Sequence, residues 1–193
     1  MRNILIVTFS IFFLVSCSQE SKQIVTEVEG GDIEQQMIKA YNEGVESLEN
    51  GDAIFAAKKF NEAELLYPQS EWASKSSLMS SYAYWSDGYY RKSIDELKRF
   101  IKIYPKDKKL DYAYYLLAMN YYDSIVDEKK DLRPLEESKK YFNILINKFP
   151  QTDYALDAKY KLELIQDILA AKEMYIARHY MKKEKWIAAI NRL

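Results

Sequence analysis

The chain has 193 residues, with 28 lysines and arginines against 29 aspartates and glutamates, for a formal net charge of −1. That balance excludes the basic bias expected of a nucleic-acid or anionic-membrane binder. The length suits one domain rather than two, and five glycines with four prolines fit a turn-rich all-β fold badly.

Residues 1–16 carry one positive charge, Arg2, followed by an apolar run from Ile4 to Val15. Such a run matches a secretory h-region and is too short for a comfortable transmembrane helix. It ends in Leu14-Val15-Ser16-Cys17 rather than in an Ala-x-Ala-like cleavage site. This ending resembles the bacterial lipobox, in which the cysteine sulfur takes a diacylglycerol and cleavage leaves an acylated N-terminus. Cys17, the one cysteine of the chain, is then a lipid anchor; the alternative is an incidental cysteine in a plain signal peptide. Two or three acyl chains hold a protein stably where one holds it marginally. Ser18, in place of an aspartate, implies by the same resemblance the outer rather than the inner membrane. An acylated Cys17 leaves no thiol for a disulfide, so the fold must stand on its core.

Residues 18–33, "SQESKQIVTEVEGGDI", are polar with a glycine pair and read as a tether. The expected organisation is therefore a leader over 1–16, a lipidated tether over 17–33 and a folded domain over 34–193.

From Glu34 the pattern is helical, and it repeats. Tyr67-Pro68 and Tyr104-Pro105 stand 37 residues apart, and Phe149-Pro150 follows 45 later. Each pair closes a helix-like run: "AKKFNEAELLYP", "KSIDELKRFIKIYP", "SKKYFNILINKFP". Gly44, Ser81 and Ala118 form one small set in register, and Ala56, Ser93 and Ser138 a second. Phe60, Leu97 and Phe142 form a large apolar set, completed by Ala63, Phe100 and Leu145. The order small, small, large, proline is similar to the tetratricopeptide (TPR) pattern, a helix–turn–helix of about 34 residues. Small residues let antiparallel helices approach, large ones fill the space between neighbours, and proline ends the second helix. Asn50-Gly51-Asp52 and Asp87-Gly88 supply turns. In the third unit the turn lengthens to "DSIVDEKKDLRP", a charged, solvated loop.

After Pro150 the run from Asp153 to about Lys183 lacks glycine and proline and reads as one long helix, or two with a slight bend. Ile176, Ala177, Tyr180 and Ala189 would start a fourth unit. Its closing proline would lie beyond Leu193, so a fragment and a natural end without a cap are both open. The fold expected is all-α: a TPR superhelical solenoid of about four repeats, the last incomplete.

First helices line the concave surface of such a solenoid. Their outward positions include Tyr41 and Val45, then Leu78, Tyr82 and Trp85, then Tyr112, Tyr115, Met119 and Tyr122. This face is more aromatic than solubility favours, and would hold an extended or short helical peptide with aromatic or aliphatic side chains. The alternatives are that curvature buries much of the set, or that an N-terminal segment covers it.

The lipobox, the TPR register and three longer stretches together resemble the BamD family, a lipoprotein subunit of the outer-membrane β-barrel assembly (BAM) machine. The stretches are "YPQSEWASKSSLMSSYAYW", "SIDELKRFIKIYPKDKKLDYAYYLLAMNYY" and "FPQTDYALDAKYKLELIQDILAAKEMYIARHYMKKEKWIAAINR". The resemblance implies a non-enzymatic scaffold of about five TPR units on the periplasmic face of the outer membrane. It also implies partners: the POTRA region of the barrel subunit BamA, the other BAM lipoproteins, and unfolded outer-membrane proteins, whose C-terminal segment the N-terminal half receives. In the family an arginine of the motif standing here as "AAINR" contacts BamA, which makes Arg192 a candidate and Tyr180, nearby, a weaker one. Arg192 could equally be solvated on a last turn. The insertion in the third unit is shorter than in many members, and a fifth unit is absent from this sequence.

Enzymatic chemistry finds little support. His179 is the one histidine, so neither a Ser/His/Asp or Cys/His arrangement nor a zinc ligand set can be assembled. No phosphate-cradling glycine loop occurs. Glu136-Glu137 reads as ordinary exposed helix charge, and no cofactor, metal or nucleic acid is implied. The rival reading is a different periplasmic TPR lipoprotein, an adaptor for peptidoglycan hydrolases, which would share anchor and repeat but not the stretch around "DAKYKLELIQDILAAKEMYIARHY".

Overall fold

The computed structural model describes residues 30–125 and 132–193. The leader, Cys17, most of the tether and the centre of the third-unit loop lie outside the described residues. Eight helices follow in order: α1 Gly30–Glu49, α2 Ala53–Leu66, α3 Glu71–Ser86, α4 Tyr90–Ile103, α5 Leu110–Asp123, α6 Arg133–Lys148, α7 Asp153–Lys182 and α8 Trp186–Ile190. Among the described residues there is no strand. α1 begins at Gly30, so the end of the segment read as tether is already helical.

Each turn has a local cause. Gly51 and Gly88 take φ of 82° and 74°, the left-handed region that side chains resist. The Asp52 carboxylate accepts from the Phe55 amide at 3.0 Å, and Thr152 Oγ1 accepts from the Ala155 amide at 3.2 Å, so α2 and α7 start with capped amides. Tyr67, Tyr104 and Phe149 are the C-caps of α2, α4 and α6. Each precedes a proline, which disfavours helical geometry in the residue before it.

The small–large register becomes packing. Gly44 of α1 faces Phe60 of α2 so closely that an added Cβ would lie 2.8 Å from the ring. At the same register position in the next two units a hydroxyl makes the contact. Ser93 Oγ donates to the Ser81 carbonyl at 2.8 Å, and Ser138 Oγ donates to the Ala118 carbonyl at 2.9 Å. Phe60, Leu97 and Phe142 are fully buried, each contributing about 1.5–3 kcal/mol. The buried residues form two clusters that meet at α3. One gathers Met37, Tyr41, Phe60 and Ala83; the other runs from Leu78 through Leu97, Phe100 and Leu117 to Phe142 and Ile165.

α3 also contacts α5, and α5 contacts α7, skipping the helix between. First helices therefore stand side by side along the stack, as a solenoid requires. In the second and third units the first helix ends about 20 residues after the preceding proline. At the corresponding place α7 carries Leu169-Ala170-Ala171-Lys172, good helix formers, and continues to Lys182. It turns only at Lys183–Lys185, where Glu184 takes a φ of 56°. Ala177 and Ala189 are buried against each other's helices, with Ile176 and Tyr180 half-buried, so α8 closes onto the far end of α7.

Candidate functional site: an aromatic face on the first helices

The nine residues read as groove-lining divide into two groups. Tyr41 and Leu78 are buried in the two core clusters, at 8% and 7% exposure. The Tyr41 ring lies 5.3 Å from Phe60 and 5.0 Å from Trp72. Val45, Tyr82, Trp85, Tyr112, Tyr115, Met119 and Tyr122 are half-buried, packed by one side against the core.

The division has a geometric reason. Tyr41, Leu78 and Tyr115 occupy one register position, 37 residues apart. That position looks toward the next first helix. Tyr41 meets Trp72 there, and Tyr115 meets Tyr154 at 5.2 Å. Trp72 and Tyr154 each stand four residues after a proline. It is an inter-unit packing position, and assigning Tyr41 and Leu78 to an open surface is corrected accordingly.

The remaining rings form a connected surface across α3, α5 and α7. Tyr82 lies 5.7 Å from Trp85, and Tyr112 lies 5.3 Å from Tyr154. Two carboxylates are set into it. Trp85 Nε1 donates to Asp123 Oδ2 at 2.9 Å, and the Tyr115 hydroxyl donates to Asp157 Oδ2 at 2.7 Å. Each bond joins one first helix to the next. Burial pushes the Tyr115 phenol well above its ordinary pKa, reinforced by Asp157 and then Asp123. Burial does the same to Tyr112, with Tyr82 and Tyr154 adding to it. Both phenols are therefore neutral hydrogen-bonding groups at physiological pH. Lysines sit over several of the rings: Lys75 Nζ is 4.8 Å from the centroid of the buried Tyr41 and 4.5 Å from that of Trp72, and Lys161 Nζ is 5.3 Å from that of Tyr122. Sequence reasoning missed Trp72, Asp123, Tyr154, Asp157 and Lys161, because their roles depend on which first helices touch.

At the far end of the molecule, Arg192 is exposed and its Nη1 donates to Glu173 Oε2 of α7 at 3.2 Å. Tyr180 lies in the last turn of α7, its ring 6.1 Å from that of His179. Trp186, Ile187 and Ile190 of α8 are exposed, giving this end an open apolar surface. It is remote from the aromatic face, so the two candidate surfaces are separate. Among the described residues no group of three or more His, Cys, Asp or Glu comes together in a way that could hold a metal ion. No described helix is long and apolar enough to cross a membrane.

Among solved structures, the chain is similar to the Arabidopsis OM64 TPR domain, with a TM-score of 0.52 and 15% identity, over 68% of this chain and 97% of that one. This likeness shows the fold: the helix pairs stack as TPR units. Among curated proteins, the chain is 37% identical over 152 residues to the outer membrane protein assembly factor BamD of Caulobacter vibrioides, covering 79% of this chain and 50% of the relative. It is 37% identical over 164 residues to BamD of Rickettsia prowazekii, covering 85% and 65%. To BamD of Neisseria gonorrhoeae it is 30% identical over 164 residues, covering 80% and 61%. The chain thus spans half to about two thirds of the length of these relatives. Residues 33–193 match the family described as YfiO, outer membrane lipoprotein, a span that takes in every described helix but the first three residues of α1. By that match the chain belongs to the YfiO family of outer membrane lipoproteins, and its curated relatives are the BamD assembly factors.

Proposed function

We propose that this chain is a scaffold in outer-membrane protein assembly, lipid-anchored at Cys17 on the periplasmic face. It holds the POTRA region of BamA through its C-terminal end, with Arg192 and Tyr180 in contact. An unfolded client segment lies on the aromatic face of the first helices. The observation that carries this reading is the match over residues 33–193 together with relatives named as outer membrane protein assembly factors. The aromatic face supports the client-binding part. Half-buried tyrosine and tryptophan rings, held rigid by the core behind them, offer large contact area at small entropic cost. In this reading the chain acts as a scaffold rather than a catalyst, a role supported by the family match and the assembly-factor names of its relatives.

The test is a pull-down of the full-length lipidated protein from its native outer membrane, with partners identified by mass spectrometry and Arg192→Glu alongside. Recovery of a POTRA-containing barrel protein, weakened by Arg192→Glu, is the expected result. The Arg192–Glu173 pair is exposed, and its loss costs at most about 1 kcal/mol, so the variant keeps its fold. Recovery of peptidoglycan hydrolases without a barrel protein would overturn the reading in favour of a cell-wall adaptor.

A further inference from the structure

The aromatic face is not uniform along its length. Ammonium groups already sit over some of its rings, Lys75 over Trp72 and Lys161 over Tyr122. The rest of the face is made of Tyr82, Trp85, Tyr112, Tyr115 and Tyr154, and into it project Asp123 and Asp157. Each aspartate spends one oxygen on a ring donor, Trp85 Nε1–H or the Tyr115 hydroxyl. Those bonds fix the carboxylates in place. Neither aspartate is in an ion pair among the described residues; Lys161, one helical turn from Asp157, directs its ammonium to the Tyr122 ring instead. Two fixed carboxylates amid electron-rich ring faces make an environment of negative potential with partial shielding from water. Such a site favours a cation and disfavours an anion.

We infer that this part of the aromatic face selects, among apolar client segments, those that carry a lysine or arginine, whose charged end is received by Asp123 and Asp157 while neighbouring aromatic or aliphatic side chains lie on the rings. This rests on the reading of the face as a client groove and adds to it the chemistry by which one segment is preferred over another. The rings supply affinity that is indifferent to sequence; the carboxylates supply the discrimination. An acidic residue at the same place in the client meets like charge and is rejected.

The experiment uses the full chain in detergent and three labelled ten-residue peptides of alternating aromatic and aliphatic residues. They differ at one central position: lysine, its uncharged isostere norleucine, or glutamate. Binding is read by fluorescence anisotropy at low and high salt. The lysine peptide is expected to bind roughly fivefold more tightly than the norleucine peptide at low salt, an advantage that shrinks as salt rises. The glutamate peptide binds more weakly than either. In the Asp123→Asn, Asp157→Asn double variant the lysine and norleucine peptides bind alike. Asparagine keeps an acceptor oxygen for Trp85 and Tyr115, and an unchanged melting temperature checks that the face is intact. Equal binding of lysine and norleucine peptides by the wild-type chain would overturn the inference and leave the groove standing. So would a lysine preference that survives in the double variant. Binding of none of the three would remove the groove itself, and this inference with it.

Discussion

Tyr104 shows how much a single side chain does in this fold. It ends α4 ahead of Pro105, packs its ring 5.3 Å from Phe100, and donates its hydroxyl to Glu64 Oε1 at 2.8 Å. Burial, and then Glu64, pushes its phenol far above the ordinary value of 10.0. Tyr112 and Tyr115 are raised from the same value, chiefly by burial. A group whose pKa is higher in the folded chain contributes fully below the unfolded value and loses that contribution as pH rises. For these phenols the window opens at about pH 10, where the unfolded chain begins to ionise and the folded one does not. We expect circular dichroism to show no helix loss on their account below that pH. Above it, unfolding should coincide with the rise of tyrosinate absorbance. Tyr112→Phe, which removes a phenol with a raised pKa, should move the alkaline midpoint upward. A midpoint that stays put would mean that the Tyr112 phenol is not protected by the fold.

At the scale of elements, the helix pair is set by its closest approach. In the first unit that approach is Gly44 against Phe60, and the ring atoms nearest to a hypothetical Cβ are 2.8, 2.9 and 3.1 Å away. Phe60 is fully buried and cannot swing aside. Alanine in place of glycine stiffens a helix by about 1 kcal/mol, yet overpacking of this kind costs about 1–3 kcal/mol. Gly44→Ala should therefore destabilise the protein, by about 1 kcal/mol net, in denaturant titration. A stabilising effect would mean that α1 and α2 separate easily. The same exchange in a helix without such a neighbour would stabilise. At the equivalent place in the second unit, the Ser81 hydroxyl donates to the Ser77 carbonyl at 3.0 Å while the Ser81 carbonyl accepts from the Ser93 hydroxyl at 2.8 Å.

For the molecule as a whole, the seam between the two hydrophobic clusters governs how the units communicate. Across it, Arg99 Nη1 and Nη2 donate to the two oxygens of Glu64 at 2.8 and 2.6 Å, Nη2 also reaches Ser77 Oγ at 3.0 Å, and Nε donates to Glu96 at 2.8 Å. Glu64 belongs to α2, Ser77 to α3 and Arg99 to α4, so one guanidinium ties the first unit to the second. Glu64 is 6% exposed, and removing its partner leaves a buried carboxylate with a single phenol for company. Loss of one member of a buried pair costs about 3–5 kcal/mol; the Arg99 side chain is 37% exposed, which brings the expectation for Arg99→Ala to about 2–3 kcal/mol. In a stack whose units touch only their neighbours, that loss stays local. Hydrogen exchange should accelerate in α1–α4 and change little in the first half of α7. Equal acceleration along the whole chain would show a single cooperative unit instead.

The sequence by itself determined the repeat. Pro68, Pro105 and Pro150, Gly51 and Gly88, and the small and large sets between them are local or periodic demands. A helix pair has few ways to satisfy them, and the unbroken run from Asp153 to the turn near Lys183 was legible for the same reason. What the sequence left open was which side chains one unit presents to the next. Tyr41, Leu78 and Tyr115 share a register position and a large apolar character, yet two are buried and the third is half-open with its hydroxyl on Asp157. Only the superhelical stacking of α3 on α1, and of α7 on α5, decides that. It also brings Asp123 to Trp85 and Glu64 to Arg99 across 38 and 35 residues. Periodicity specifies the face a residue occupies on its own helix; the curvature of the stack, a sum of many inter-unit contacts, specifies what that face meets.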